Sequence, residues 1–359
     1  MNLHGVNVLS VFDGMSCAQI ALERAGIKVN NYFSAEIDKY AMKVTMAHYP
    51  QTVQLGTIEN WKSWDLPKID LFIGGSPCQG FSNAGLGLNF DDPRSKLFFT
   101  YVDILKDLRE KNPDLQFLLE NVKMKKEWQK IITEFMGVEP VLINSALVSA
   151  QNRQRLYWAN WKIEQPEDKH IYLKDIIEEE VEDKYLGGYN PTYKTQSNSA
   201  HDEEQLNVRK DEKSNCVVPS YPHRLNGMIR VGDLYPSGGI AGRIYSPEGK
   251  SPSLRTATGG NHMPKISTTK TRYVATGKVF EGESLKSNTV KESFRSKDNF
   301  SIEDNFTYRK LTPIECERLQ TVEPNWTDML SNTQRYKCLG NGWTIDVIAH
   351  ILNSNPNLR

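Results

Sequence analysis

The stretch "IDLFIGGSPCQGFSN", Ile69 to Asn83, decides the reading of the fold. Its apolar start, Ile69 to Ile73, reads as a buried β-strand. Two glycines and a Pro-Cys pair follow at once. A structural cysteine normally sits inside a hydrophobic run. Cys78 instead stands at the mouth of a strand, between Pro77 and Gln79. Open α/β sheets place ligands and chemistry at such strand ends.

The same pattern recurs on both sides. Upstream, Val6–Val11 reads as a buried strand, Phe12–Cys17 as a turn, and Ala18–Ala25 as a helix closed by Gly26. Tyr32–Ile37 reads as a second strand ending in Glu36, and Asp38–His48 as a helix. Downstream, Leu97–Glu110 and Trp128–Met136 read as helices, Phe117–Glu120 as a strand, and Val138–Leu147 as extended. This alternation predicts βαβ units and a mostly parallel sheet in an α/β fold. After Trp161 the regularity fades. Residues 186–305 are rich in Gly, Ser, Asn, Pro and Thr, which predicts a smaller, irregular, mainly β region. Helix returns at Thr312-Pro313-Ile314-Glu315, where Thr312 suits an N-cap, Pro313 the first helical position and Glu315 a capping box. A final helix is expected over Thr344–Leu352, after Gly340-Asn341-Gly342.

Composition narrows the class. The 359 residues are 38% hydrophobic and 10% aromatic, as in ordinary globular proteins. No apolar run is long enough for a membrane span, and no leader pattern opens the chain. Five cysteines without a CxxC pair argue against a disulfide framework or a zinc finger, and for a reducing cytoplasm. No metal is expected. Formal net charge is +0, but it is unevenly spread. Glu164–Lys184 holds nine acidic and three basic residues, a net of −6, whereas Tyr221–Phe280 holds nine Lys/Arg and two acids, a net of +7. The basic segment, rich in Gly, Ser, Thr and Tyr, suits phosphate contact.

Four constellations carry the chemistry. The turn after the first strand lacks GxGxxG, so it suits a nucleoside ligand without a pyrophosphate. Glu36, about twenty residues on, stands where an acid grips ribose hydroxyls. Cys78 and Glu120 each close a strand; if those strands are neighbours in the sheet, they offer a sulfur nucleophile and a proton donor to one pocket. Finally, alternation in Gln151-Asn152-Arg153-Gln154-Arg155 throws Gln151, Arg153 and Arg155 to one side of an extended segment ahead of an apolar run.

Taken together, these motifs resemble the cytosine-C5 DNA methyltransferase family over nearly the whole chain and in the family's usual order. The matching pieces are Phe12–Cys17, Glu36, Pro77–Ser82, Glu120–Val122, Gln151–Arg155, Arg309–Gln320 and Gly340–Gly342. The resemblance implies a Rossmann-like S-adenosylmethionine-dependent methyltransferase fold with a smaller target-recognition domain. It implies a catalytic domain over 1–162, target recognition over 163–305, and a C-terminal segment, 306–359, returning to the catalytic body. It also implies methyl transfer to C5 of a flipped-out cytosine in duplex DNA, with Cys78 attacking C6, Glu120 serving N3, Arg155 holding O2, and Arg153 supporting the site. Phe12, Gly14, Ser16, Glu36, Ile37, Thr57, Ile58, Pro77, Leu97 and Asn341 would bind the cofactor. The chain departs from the family at Thr57, where an acid usually reads the adenine amino group. Ser82 and Arg94, in a segment resembling the family's closing loop, and Ile240, Arg243 and Ser253 would contact DNA. The expected protein is a monomer, bacterial or phage in type, with a cognate restriction enzyme left open as a partner. An RNA methyltransferase of the same fold, a C5-pyrimidine enzyme acting on free nucleotides, and an inactive DNA-binding relative stand as alternatives.

Overall fold

The computed structural model describes residues 5–76, 93–188, 228, 230–233, 243–254, 263–268, 273–275, 278–280 and 307–358. β1 (Val6–Val11) leads through α1 (Cys17–Arg24) to β2 (Val29–Ala35), α2 (Lys39–His48) and β3 (Val53–Gln54). Then follow β4 (Leu71–Gly75), α3 (Pro93–Lys111), β5 (Gln116–Val122), α4 (Lys126–Met136), β6 (Val141–Asn144), β7 (Gln151–Asn152) and β8 (Gln154–Ala159). Seven of these strands form one sheet in the order β3-β2-β1-β4-β5-β8-β6. Its first five strands run parallel, and β8 runs antiparallel to both β5 and β6.

Period-two alternation explains why both faces are buried. Leu71, Ile73 and Leu118 join the apolar cluster that contains α1 and the C-terminal helix, while Phe72, Phe117 and Leu119 join the cluster under α3 and α4. The chain winds outward from β1 to β3, then returns to place β4 on the other side of β1. That reversal opens a crevice at the carboxyl ends of β1 and β4. The two strands approach closely there: a Cβ on Gly74 would lie 2.8 Å from Val11 Cγ2 and 2.9 Å from Val11 O.

A second, five-stranded sheet takes its strands from distant segments. These are β9 (Leu186–Gly188), β10 (Arg230–Asp233), β11 (Arg243–Tyr245), β13 (Lys265–Ser267) and β16 (Thr307–Lys310), ordered β10-β11-β13-β16-β9. β12 (Ser251–Pro252) pairs instead with β7, and β14 (Tyr273–Ala275) with β15 (Lys278–Phe280). The chain closes with α5 (Pro313–Leu319), α6 (Asn332–Asn341) and α7 (Ile345–Asn353), the last lying against α1.

The elements differ in detail from the sequence reading. β2 stops at Ala35, because main-chain amides turn the next residue, Glu36, out of the strand. Within 138–147 only Val141–Asn144 is strand, since the Asn144 side chain caps a short 3-10 turn that follows. Ile163, Leu173 and Ile176 pack into a cluster of the main body, and the expected boundary at 305/306 falls just before β16, a strand of the small sheet. Among the described residues no helix is long and apolar enough to cross a membrane.

Candidate active site

The first part of the candidate site, where a cofactor is expected, is built on the turn after β1. Phe12, Gly14 and Ser16 take left-handed φ values of 56°, 57° and 58° in alternation. Between them, Asp13 is buried. It accepts hydrogen bonds from Ser10 Oγ at 2.6 Å, Tyr32 OH at 2.7 Å, Ser34 Oγ at 2.8 Å, and Ser16 Oγ. Burial pushes the Asp13 carboxyl above its usual range, against the pull of these four hydroxyls. The cluster ties the turn to both strands beneath it. Gly14 has open space where a Cβ would stand. Its N–H donates to Glu36 Oε2 at 2.8 Å, while Glu36 Oε1 accepts from Ile37 N at 2.7 Å and Asp38 N at 2.8 Å.

Three main-chain donors therefore fix the Glu36 carboxylate at the mouth of the crevice. Beside it the Ile37 side chain is 77% exposed, an apolar surface left open at a polar edge. Such a cradle fits a neutral nucleoside, with hydroxyls for the acid and a flat ring for the apolar side chains. Phe12 and Leu97 pack partly buried against one apolar cluster, and Ile58 is buried in it. Thr57 caps the turn Ile58–Ser63, its oxygen accepting from Glu59 N at 3.3 Å. Asn341 ends α6 and is exposed.

The second part of the candidate site lies on β5, where Glu120 pairs with Gly75 of β4 and Tyr157 of β8. A buried carboxylate is costly unless it is partnered, and Glu120 is held at both oxygens. Arg155 Nε lies 2.8 Å from Oε1, and Trp343 Nε1 donates to Oε2 at 3.1 Å. Next along β5, Asn121 Nδ2 donates to Ser76 Oγ at 3.0 Å, so the ends of β4 and β5 are tied together.

Arg153 and Arg155 are both drawn inward but do different things. Arg153 donates through Nη1 to Ser253 Oγ and Leu254 O, each at 3.1 Å, and through Nη2 to Gly340 O at 3.3 Å and Gly342 O at 3.0 Å. It thus joins the segment after β12 to the glycine turn before α7. Burial pulls its pKa down to about 9, which leaves it protonated at neutral pH. Gln151 is wholly buried and donates to Leu319 O at 3.2 Å.

Among the sequence-predicted residues, Phe12, Gly14, Glu36 and Ile37 meet at the crevice, and Glu120 meets Arg155 beside the end of β4. Ser253 lies on Arg153, and Arg243 opens β11 half-buried. Cys78, Pro77, Ser82 and Ile240 lie outside the described residues, as does the side chain of Arg94. Asp13 and Trp343 were not singled out from sequence. An acid set among small polar residues and an aromatic directly after Gly340-Asn341-Gly342 were their only signals.

The comparisons with known proteins identify the family. The chain is 27% identical to the orphan methyltransferase M.SPRI of Bacillus phage SPR, over 96% of each chain. It is 25% identical to the type II methyltransferase M.HhaI of Haemophilus parahaemolyticus, over 97% of this chain and 94% of that one. A crystal structure of Spodoptera frugiperda DNMT2 shares the fold, with a TM-score of 0.57 at 16% identity over 98% of this chain and 99% of that one. Residues 6–356 match the model of C-5 cytosine-specific DNA methylases. The chain belongs to that family and is an S-adenosylmethionine-dependent DNA cytosine methyltransferase.

Proposed function

We propose that the protein methylates C5 of one cytosine within a defined duplex sequence, after flipping that base out of the helix, through a covalent adduct on Cys78. The observation that carries this reading is Glu120, held by Arg155 at the end of β5 and tied through Asn121 to the last described residue of β4, Ser76. Cys78 follows two residues later, a chain length of at most about 7 Å. The described cysteines are poor alternatives. Cys17, Cys316 and Cys338 are buried, and burial pushes Cys17 and Cys338 up to about 12 and Cys316 well above the ordinary thiol range.

Unactivated C5 is a weak nucleophile. As the Cys78 thiolate bonds to C6, the ring electrons move towards N3, and a proton is delivered there through Glu120. The resulting enamine is nucleophilic at C5. Arg155, beside Glu120, is placed to hold the O2 carbonyl of the same ring. S-adenosylmethionine supplies an electrophilic methyl group when bound. Once C5 carries the methyl, loss of the C5 proton to a base returns an electron pair to the ring. Cys78 then leaves C6 as thiolate, and N3 gives its proton back to Glu120. A base stacked in a duplex cannot reach this pocket, which is why flipping belongs to the proposal. Phe12, Glu36, Ile37, Thr57, Ile58, Pro77, Leu97 and Asn341 would hold the cofactor, with Gly14 and Ser16 shaping the turn. Residues 163–305 would read the sequence, with Ile240, Arg243 and Ser253 at the DNA and Ser82 and Arg94 on phosphates. The protein would act as a monomer.

The test is methyl transfer to duplex DNA, tRNA and dCMP, run beside DNA carrying 5-fluorocytosine. Transfer to the duplex and a stable adduct with the fluorinated DNA are expected, because fluorine blocks the final proton loss. Cys78→Ser should lose both while DNA binding remains measurable. An active enzyme that forms no adduct would overturn the covalent mechanism, and transfer to tRNA or dCMP instead of duplex DNA would overturn the substrate.

A further inference from the structure

Trp343 sits where three parts of the molecule meet, and its packing does not account for where its N–H points. The side chain is 9% exposed and belongs to the apolar cluster under α7. A buried indole N–H needs a partner. Here that partner is Glu120 Oε2 at 3.1 Å, 223 residues away in the chain. The other carboxylate oxygen, Oε1, faces Arg155 Nε at 2.8 Å. One donor on each oxygen fixes both the rotamer and the plane of the acid.

The neighbours sit closely around this arrangement. A Cβ on Gly75 would stand 2.8 Å from Glu120 Oε2 and 3.0 Å from Trp343 Nε1, so a larger residue there would press on the contact. On its other side, Trp343 follows Gly342, which is seated against Cys17, the first residue of α1 after the cofactor turn. A Cβ on the preceding Gly342 would stand 3.2 Å from Cys17 Sγ, so the backbone is seated closely there as well.

We infer that Trp343 is a positioning residue for Glu120: its indole N–H, with Arg155 opposite, holds the carboxyl in the orientation that serves the cytosine ring, and Gly75 is glycine to admit it. The inference rests on the reading of Glu120 as the proton-handling acid. Loss of one hydrogen bond to such a group lowers the rate by about ten- to a hundredfold.

The experiment is a double-substitution cycle on the full chain, with Trp343→Phe and Glu120→Gln alone and together. Three quantities are read: kcat, cofactor affinity by calorimetry, and cofactor-free release of tritium from duplex DNA labelled at cytosine C5. That release needs attack at C6, protonation at C5 from solvent and loss of the tritium from C5, but no methyl transfer. Trp343→Phe should lower kcat and tritium release by about tenfold or more, with cofactor affinity and the KM for DNA little changed. In the Glu120→Gln background the same change should cost less than about threefold, because the acid it positions is gone. Gly75→Ala, whose Cβ would press on both Glu120 Oε2 and the indole, should lower kcat and tritium release as well. Equal losses in both backgrounds, or a loss confined to cofactor affinity, would overturn the inference. If Glu120→Gln alone turns over normally, the reading of Glu120 fails instead.

Discussion

The two sheets of this protein are built on opposite principles. In the large sheet, neighbouring strands carry continuous apolar runs, and residues such as Leu9, Leu71, Phe72, Phe117 and Trp158 are wholly buried. Helices cover both faces, and polar chemistry is confined to the carboxyl edge. In the small sheet most strands are three or four residues long and come from segments spread between residues 186 and 310. Buried polar groups do much of the joining there. Arg309 Nη2 lies 2.6 Å from Glu315 Oε1. Glu315 also accepts from Thr312 N at 2.8 Å as half of a capping box. Lys250 Nζ donates to Ala146 O at 2.7 Å, Ser149 O at 3.2 Å and Ile171 O at 2.5 Å. The difference teaches that an apolar core can hold reacting groups still, whereas a short-stranded sheet tied by specific polar contacts leaves much of its surface for variation. The proposed split between chemistry in the large sheet and sequence reading around the small one would use that division.

Exchanging residues 186–305 for those of a relative with a different target site should break the comparison most completely. The hybrid is expected to methylate the donor's site and lose the original one, as bisulfite sequencing of modified DNA would record. An active hybrid that keeps its old site would place sequence reading in the large sheet's half. Conversely, Glu120→Gln should lower turnover by about 10²–10⁴-fold while site preference and cofactor affinity stay as they were. Single-turnover kinetics on cognate and mismatched duplexes would check this, and a shift in preference would blur the division.

A smaller effect concerns stability alone. Arg309→Met leaves Glu315 buried with only main-chain donors, and should cost about 3–5 kcal/mol by urea denaturation. A loss under about 1 kcal/mol would mean that the ion pair is not what fastens β16 to α5. The smallest effect is set by pH. Burial, aided by Lys310 opposite it on β16, lowers Lys265 to about 8 from 10.5. Between these values the unfolded chain binds more protons than the native one, so this residue's contribution makes stability rise as pH rises from about 8 towards 10.5. The gain should be about 1 kcal/mol once solvent screening is allowed for, and Lys265→Met should lack it. Identical pH–stability curves for the two proteins would show that Lys265 is no more buried in the native state than in the unfolded chain.

What the sequence determined by itself was whatever has a local cause. Apolar runs set the strands of the large sheet, turn residues set their ends, and at or just beyond those ends stand Phe12, Glu36 and Glu120. The capping box at Thr312 and Glu315 was equally legible, since its partners lie three residues apart. Only the tertiary structure decided which distant groups meet. Arg153 reaches Leu254 O and Gly342 O, 101 and 189 residues away, and β16 joins the small sheet before the chain returns to the main body. Asp13 gathers the hydroxyls of Tyr32 and Ser34 from the neighbouring strand, and Trp343 closes on Glu120. A hydrogen bond between residues far apart leaves no period in either segment. Its donor and acceptor become readable only when the sheet brings them within 3 Å or so.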